Sequence, residues 1–259
     1  MTNPHGTPIW YELLTPDHAA SKRFYDAVVG WTIGNKPPGD LDYRMISAGG
    51  GEHDQVGGVM ALTEAMSTGG AQPTWLFYLG VDDVDVTADR ITAAGGAVLM
   101  PPVDLPGVGR MAFVADPMGA PFYIMRGASD AQSTAFRYQA TAAPGHPVWN
   151  ELSTPEPAAA IGFYGQLFGW RQEGAMPMGE LGDYQFIHDA TGAIGAVMPD
   201  ARPGWLFYFM VADIDAAAAR VGQAGGRIEQ EPIEIPGGSF SLVATDPHGV
   251  RFGLVGDRS

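Results

Sequence analysis

Cysteine is absent from the 259 residues, which excludes disulfides, thiol catalysis and thiolate metal sites. Positive charge is scarce. Fourteen Lys and Arg stand against 29 Asp and Glu, a formal net charge of −15. That balance argues against nucleic acid and anionic membrane surfaces as partners, since both need clustered basic residues. Acidity of this size also simply keeps a soluble protein dispersed. No apolar run approaches the roughly 18 residues of a membrane span. Met1-Thr2-Asn3-Pro4-His5-Gly6 has neither a basic region nor an apolar core, so it does not read as a secretion signal. A cytoplasmic protein is the expectation. Gly-x-Ser-x-Gly is missing, so a nucleophile elbow is not indicated. Gly49-Gly50-Gly51 is followed by neither a helix nor Lys-Ser/Thr, which leaves a phosphate loop unsupported.

What is present is a repeat. Trp10-Tyr11-Glu12-Leu13-Leu14-Thr15-Pro16 returns as Trp149-Asn150-Glu151-Leu152-Ser153-Thr154-Pro155. The same landmarks follow each copy in the same order. Phe24-Tyr25 matches Phe163-Tyr164, Gly30-Trp31 matches Gly169-Trp170, and Asp42-Tyr43 matches Asp183-Tyr184. Trp75-Leu76-Phe77-Tyr78 matches Trp205-Leu206-Phe207-Tyr208, and Asp116-Pro117-Met118-Gly119 matches Asp246-Pro247-His248-Gly249. The chain is a tandem duplication. With 46% apolar and 17% charged residues, each copy has the composition and length to bury a core.

Within each copy the order strand, helix, three strands occurs twice. Thr7 to Leu14 reads as a strand, and Thr15-Pro16-Asp17 opens a helix with Thr as N-cap and Pro at the first position. Ala20, Phe24, Ala27 and Val28 form its buried stripe, and Gly30 stops it. Trp31–Asn35, Tyr43–Ala48 and Val56–Leu62 are the following strands. A second round runs through Thr74–Val81, the helix Val84–Ala94, Ala97–Met100, Arg110–Ala115 and Pro121–Arg126, with Asp116-Pro117-Met118-Gly119 as a turn. The copies are joined by a polar, Ala-rich stretch that reads as a linker pinned by Phe136 and Tyr138. The fold class is α+β: four βαβββ modules paired into two domains, 1–127 and 147–259, with 128–146 between them.

This pattern resembles the vicinal oxygen chelate superfamily, which includes glyoxalases, extradiol dioxygenases and bleomycin-binding proteins. The resemblance covers nearly the whole chain and is nearest the two-domain members. It implies that paired modules form a glyoxalase-like cup. It also implies that, in the metal enzymes, His, Gln or Glu on first strands and Glu on last strands hold a divalent ion. Carried onto this sequence, the first-strand positions fall on Trp10, Trp75, Trp149 and Trp205. Indole cannot ligate a metal. The last strands Val56–Leu62, Pro121–Met125, Ala193–Met198 and Val250–Val255 contain no Asp, Glu or His. No metal and no cofactor is expected at the usual place. An unusual site drawn from His5, His53 or His188 stays open. His18 and His248 read as solvated.

Glu12 and Glu151 lie two residues from Trp10 and Trp149, so each shares a strand face with its tryptophan. A carboxylate in an aromatic hollow is a candidate general base or a contact for a cationic group. It is equally a structural group bonded to backbone or Arg. The four tryptophans and Tyr123 either stack on a flat ligand or fill the core. The second copy has fewer residues between Tyr184 and Trp205 than the first has between Tyr43 and Trp75, so the two cups need not be equivalent. The expected partner is an aromatic or hydrophobic small molecule bound by a monomer or homodimer, with Trp10, Trp75, Tyr123, Trp149 and Trp205 as contacts. The alternative is a glyoxalase- or dioxygenase-type enzyme, metal-dependent through an unusual site or metal-free with Glu12 or Glu151 as base.

Overall fold

In the computed structural model, residues 2–39, 41–49 and 54–259 are described. The first copy runs β1 (Pro8–Thr15), α1 (His18–Val28), β2 (Thr32–Ile33), β3 (Tyr43–Ser47), β4 (Gln55–Ala61), then a short α2 (Glu64–Thr68). It continues with β5 (Thr74–Gly80), α3 (Val84–Ala93), β6 (Ala97–Leu105), β7 (Gly109–Ala115) and β8 (Pro121–Gly127). The second copy repeats the plan as β9 (Pro147–Thr154), α4 (Pro157–Phe168), β10 (Arg171–Pro177), β11 (Asp183–His188) and β12 (Ala193–Pro199). Its last module is β13 (Gly204–Met210), α5 (Ile214–Gln223), β14 (Arg227–Glu234), β15 (Phe240–Thr245) and β16 (Arg251–Gly256). The four βαβββ modules and the α+β class are as the repeat implied.

Two eight-stranded mixed sheets result, in the orders β2-β3-β4-β1-β5-β8-β7-β6 and β10-β11-β12-β9-β13-β16-β15-β14. Within each module the first and last strands pair in parallel, as in β1 with β4 and β9 with β12. Among the described residues no helix is long and apolar enough to cross a membrane.

Local chemistry differs from expectation at three points. α1 is capped by Asp17, not Thr15: its carboxylate accepts from the backbone N–H groups of Ala19 and Ala20 at 2.8 and 3.0 Å. Thr15 instead bonds the Ser21 hydroxyl at 2.8 Å. β6 does not stop at Met100 but continues through Pro101 and Pro102. That is tolerated because β6 is an edge strand and its pairing with β7 slips between Met100 and Val103. His18 is buried, and its Nε2 lies 3.2 Å from the Val59 carbonyl. Gly30 leaves α1 at φ +87°, the left-handed region its role requires.

Contacts group the chain into two compact units. One holds Tyr11–Trp75, Thr134–Val148 and Phe207–Ser259; the other holds the chain up to Trp10, Leu76–Ser133 and Trp149–Leu206. Each unit therefore takes one module from each copy. In the first, Tyr25 of α1 is fully enclosed. Its hydroxyl accepts from Trp75 Nε1 at 2.9 Å and donates to Asp246 at 3.3 Å. Around it, Phe24 meets Phe252 at 5.6 Å, and Trp31 meets Phe209 at 4.8 Å. In the second, Tyr164 of α4 donates to Asp116 at 3.3 Å and packs on Phe122 and Trp170. The other oxygen of each Asp holds its own turn, accepting from Met118 and Ala120 or from His248 and Val250. The segment before β9 is also packed: Ala135 and Phe136 are buried, and His146 bonds the Ala135 carbonyl at 2.9 Å and Asp54 at 3.1 Å.

Burial, reinforced by the neighbouring aspartate, pushes the Tyr25 and Tyr164 hydroxyls well above their ordinary value near 10. The native state then holds these protons more tightly than the unfolded chain does. Their stabilisation is complete below about pH 10 and is lost as pH rises through the folded value. Urea midpoints should fall above about pH 10, and Tyr25→Phe should flatten that fall. At neutral pH Tyr25→Phe should cost about 1–3 kcal/mol, because Trp75 Nε1 and Asp246 each lose a partner. An unchanged midpoint would mean that these bonds contribute nothing net.

Candidate functional site

β9 alternates faces. Asn150 and Leu152 are buried on one side, and the Asn150 amide donates to the Ile194 carbonyl at 2.7 Å. Trp149 and Glu151 take the other side. Glu151 stands in register with Ala196 of β12, which in turn faces Phe186 of β11. Tyr184, two residues before Phe186, shares that face. Its hydroxyl accepts from Trp149 Nε1 at 2.7 Å and donates to Glu151 Oε2 at 2.9 Å. The Phe186 ring lies 6.1 Å from Trp149 and 6.0 Å from Tyr184. Trp149, Tyr184 and Phe186 are all half-buried, and Glu151 is 9% exposed. The result is a carboxylate fixed by a Trp–Tyr chain beside partly open aromatic rings.

The first copy keeps the plan but not the details. Glu12 is 1% exposed and stands in register with Gly58 of β4. A Cβ on Gly58 would sit 2.2–2.3 Å from Cζ, Cε1 and the hydroxyl oxygen of Tyr43, so the end of the Tyr43 side chain occupies the space above that glycine. Ala196 occupies the corresponding place in the second copy. Trp10 is half-buried against a cluster of Ile9, Leu76, Tyr78 and Tyr123. Tyr123 stacks on Tyr78 at 4.3 Å and meets Phe113 at 4.6 Å.

Trp75 and Trp205 are placed elsewhere. Trp75 is 3% exposed and packs among Tyr25, Trp31 and Phe209. Trp205 packs on Phe77 at 4.7 Å and on Tyr164 at 5.6 Å. Of the two roles open to these residues, the structure gives them packing. The physical reason is strand period: Trp75 and Phe77 share the face opposite Leu76 and Tyr78. The sequence reading missed Tyr43, Tyr184 and Phe186 as site residues. The matched pairs Asp42-Tyr43 and Asp183-Tyr184 were a visible signal, but a tyrosine at a strand start does not reveal where its hydroxyl reaches.

Comparison with known proteins gives consistent matches. The family model described as Glyoxalase/Bleomycin resistance protein/Dioxygenase superfamily matches residues 8–124 and 144–254. CFP32 of Mycobacterium tuberculosis, which carries the name glyoxylase on provisional terms, is 32% identical over 96% of this chain and 94% of its own. The anthracycline biosynthesis protein DauV of Streptomyces sp. (strain C5) is 34% identical over 96% of this chain and 93% of its own. Among solved structures, the Mn(II)-bound glyoxalase of Novosphingobium aromaticivorans aligns with TM-score 0.67 at 18% identity, covering 98% of this chain and 83% of that one. That likeness is one of fold alone.

A divalent ion needs several oxygen or imidazole donors converging on one point. Here the register neighbours of Glu12 and Glu151 are Gly58 and Ala196, and β4, β8, β12 and β16 carry no carboxylate or imidazole. Among the described residues no group of three or more His, Asp or Glu side chains is arranged to hold a metal. His5 spends both ring nitrogens locally, donating from Nε2 to the Leu167 carbonyl and accepting the Asp82 N–H at Nδ1. His53 lies outside the described residues. Among the described residues the donor set does not fit a resident divalent ion. Protein incubated with Mn²⁺ or Zn²⁺ and then dialysed should retain far less than one ion per chain by elemental analysis. Stoichiometric retention would overturn the donor argument.

Proposed function

Because the chain belongs to the glyoxalase/bleomycin resistance protein/dioxygenase superfamily, we propose that it binds a small aromatic molecule against the Trp149–Tyr184–Glu151 face, without a metal. The observation that carries this reading is the chain from Trp149 Nε1 through the Tyr184 hydroxyl to Glu151. It holds a carboxylate in one orientation next to half-buried rings, as a site for a flat ligand with a hydrogen-bond donor requires. The relative named for anthracycline biosynthesis is in keeping with an aromatic ligand. In the first copy, Trp10, packed against the cluster that holds Tyr123, and Glu12 stand at the sequence positions that match Trp149 and Glu151. The division by descent is 1–127, 128–146 and 147–259.

A second reading has one observation in its favour. A carboxylate withdrawn from water beside open rings is also where a proton acceptor belongs. In that case Glu151, and Glu12 in the other copy, serve as base in a metal-free reaction.

Binding of 1,4-dihydroxyanthraquinone, followed by the anisotropy of its own fluorescence, tests the site. Trp149→Ala should raise Kd about tenfold or more, a loss of about 1.4 kcal/mol. Glu151→Gln should weaken binding by a smaller factor. Equal affinity in wild type and both variants would place the ligand elsewhere. Conversion of a bound ligand by wild type but not by Glu151→Gln would favour the catalytic reading.

A further inference from the structure

We infer that His188 supplies a second polar contact to this same face, so that the ligand is an elongated aromatic molecule with a keto or phenolic oxygen at its far end. The inference rests on the site proposed above. His188 is the last residue of β11 and follows Tyr184 and Phe186 at period two, so all three share a face. Tyr184 and His188 are four residues apart on an extended strand, about 13 Å, the length of roughly three fused six-membered rings. Phe186 stands between them on the strand, its ring 6.1 Å from that of Trp149 and turned 75° to it, so that one ring offers a face where the other offers an edge to an aromatic ligand.

Two observations single out His188. Its Nδ1 is buried and has no hydrogen-bond partner among the described residues. Buried polar atoms are ordinarily satisfied, and an exception has a cause. His5, His18 and His146 each bond a backbone carbonyl, of Leu167, Val59 and Ala135; His248, whose Nε2 is likewise buried without a partner among the described residues, belongs to the turn between β15 and β16 and not to this strand. The register neighbour of His188 on β10 is Arg171, and that guanidinium is engaged with Glu173 at 2.7 Å.

The duplication provides the second observation. The face Tyr184, Phe186, His188 corresponds to Tyr43, Met45, Ser47, matched by register with β4 and β12 and with the preceding strands. The first copy holds the same strand with Met and Ser, so the fold does not require an aromatic ring and an imidazole there. The second copy carries both, on the face that carries the Trp–Tyr–Glu chain. An imidazole nitrogen at that end suits a ligand oxygen, and an apolar hydrocarbon of equal shape gains nothing from it.

The test compares two fluorescent probes, 1,4-dihydroxyanthraquinone and anthracene, on the full chain. His188→Ser installs the residue that stands in the first copy, and His188→Gln keeps a nitrogen donor. We expect His188→Ser to weaken the oxygenated probe about five- to tenfold and leave anthracene within about twofold, with His188→Gln recovering part of the loss. Thermal midpoints of both variants should match wild type. If His188→Ser leaves both probes unchanged while Trp149→Ala loses both, the site stands and the role of His188 falls. Equal weakening of both probes would assign His188 to packing and also overturn the inference. If neither probe binds wild type, the site itself is wrong and the inference goes with it.

Discussion

Each compact unit is organised about one tyrosine hydroxyl that has no water to turn to. Tyr25 lies between the Trp75 indole and the Asp246 carboxylate, and Tyr164 reaches Asp116 in the other unit. In both cases the aspartate belongs to a turn of the other copy's module and already holds that turn's backbone N–H groups. Burial raises the pKa of the tyrosine and of its aspartate alike. Removing one partner would strand the other in a low-dielectric interior, and that asymmetry makes the pair a constraint on the fold.

This constraint separates ancestry from compactness. The halves related by duplication are consecutive in sequence, yet each compact unit takes one module from each half. Aromatic residues of one module are buried against a module of the other half, as with Phe24 against Phe252 and Phe122 against Phe168. The packed faces are held to a common pattern by these contacts. The opposite strand faces are not, and there the copies have diverged.

The divergence is local and chemical. In the first copy the end of the Tyr43 side chain fills the space above Gly58; in the second an alanine occupies that position, and Tyr184 joins Trp149 to the Glu151 carboxylate. Met45 and Ser47 give way to Phe186 and His188. The same backbone thus presents two different surfaces.

The repeat, the module order and the superfamily were legible in the sequence, because hydrophobic period, turn residues and matched landmarks are local properties carried by neighbours in the chain. So was the absence of carboxylate and imidazole on the last strands, since composition of a strand does not depend on register. Local chemistry failed where two groups competed for one role, as Thr15 and Asp17 did for the cap of α1, and where an edge let β6 run on through two prolines. The proposed site was legible only in part. Glu151 and Trp149 could be named, but which tryptophans are packed depends on strand face. A one-residue change of register moves an indole from one side to the other, and tertiary packing made that choice for Trp75 and Trp205. Only the folded chain brings Tyr184 to Trp149 and Glu151, 35 and 33 residues away, because hydrogen-bond partners across strands are set by register in three dimensions and leave no mark on spacing in one.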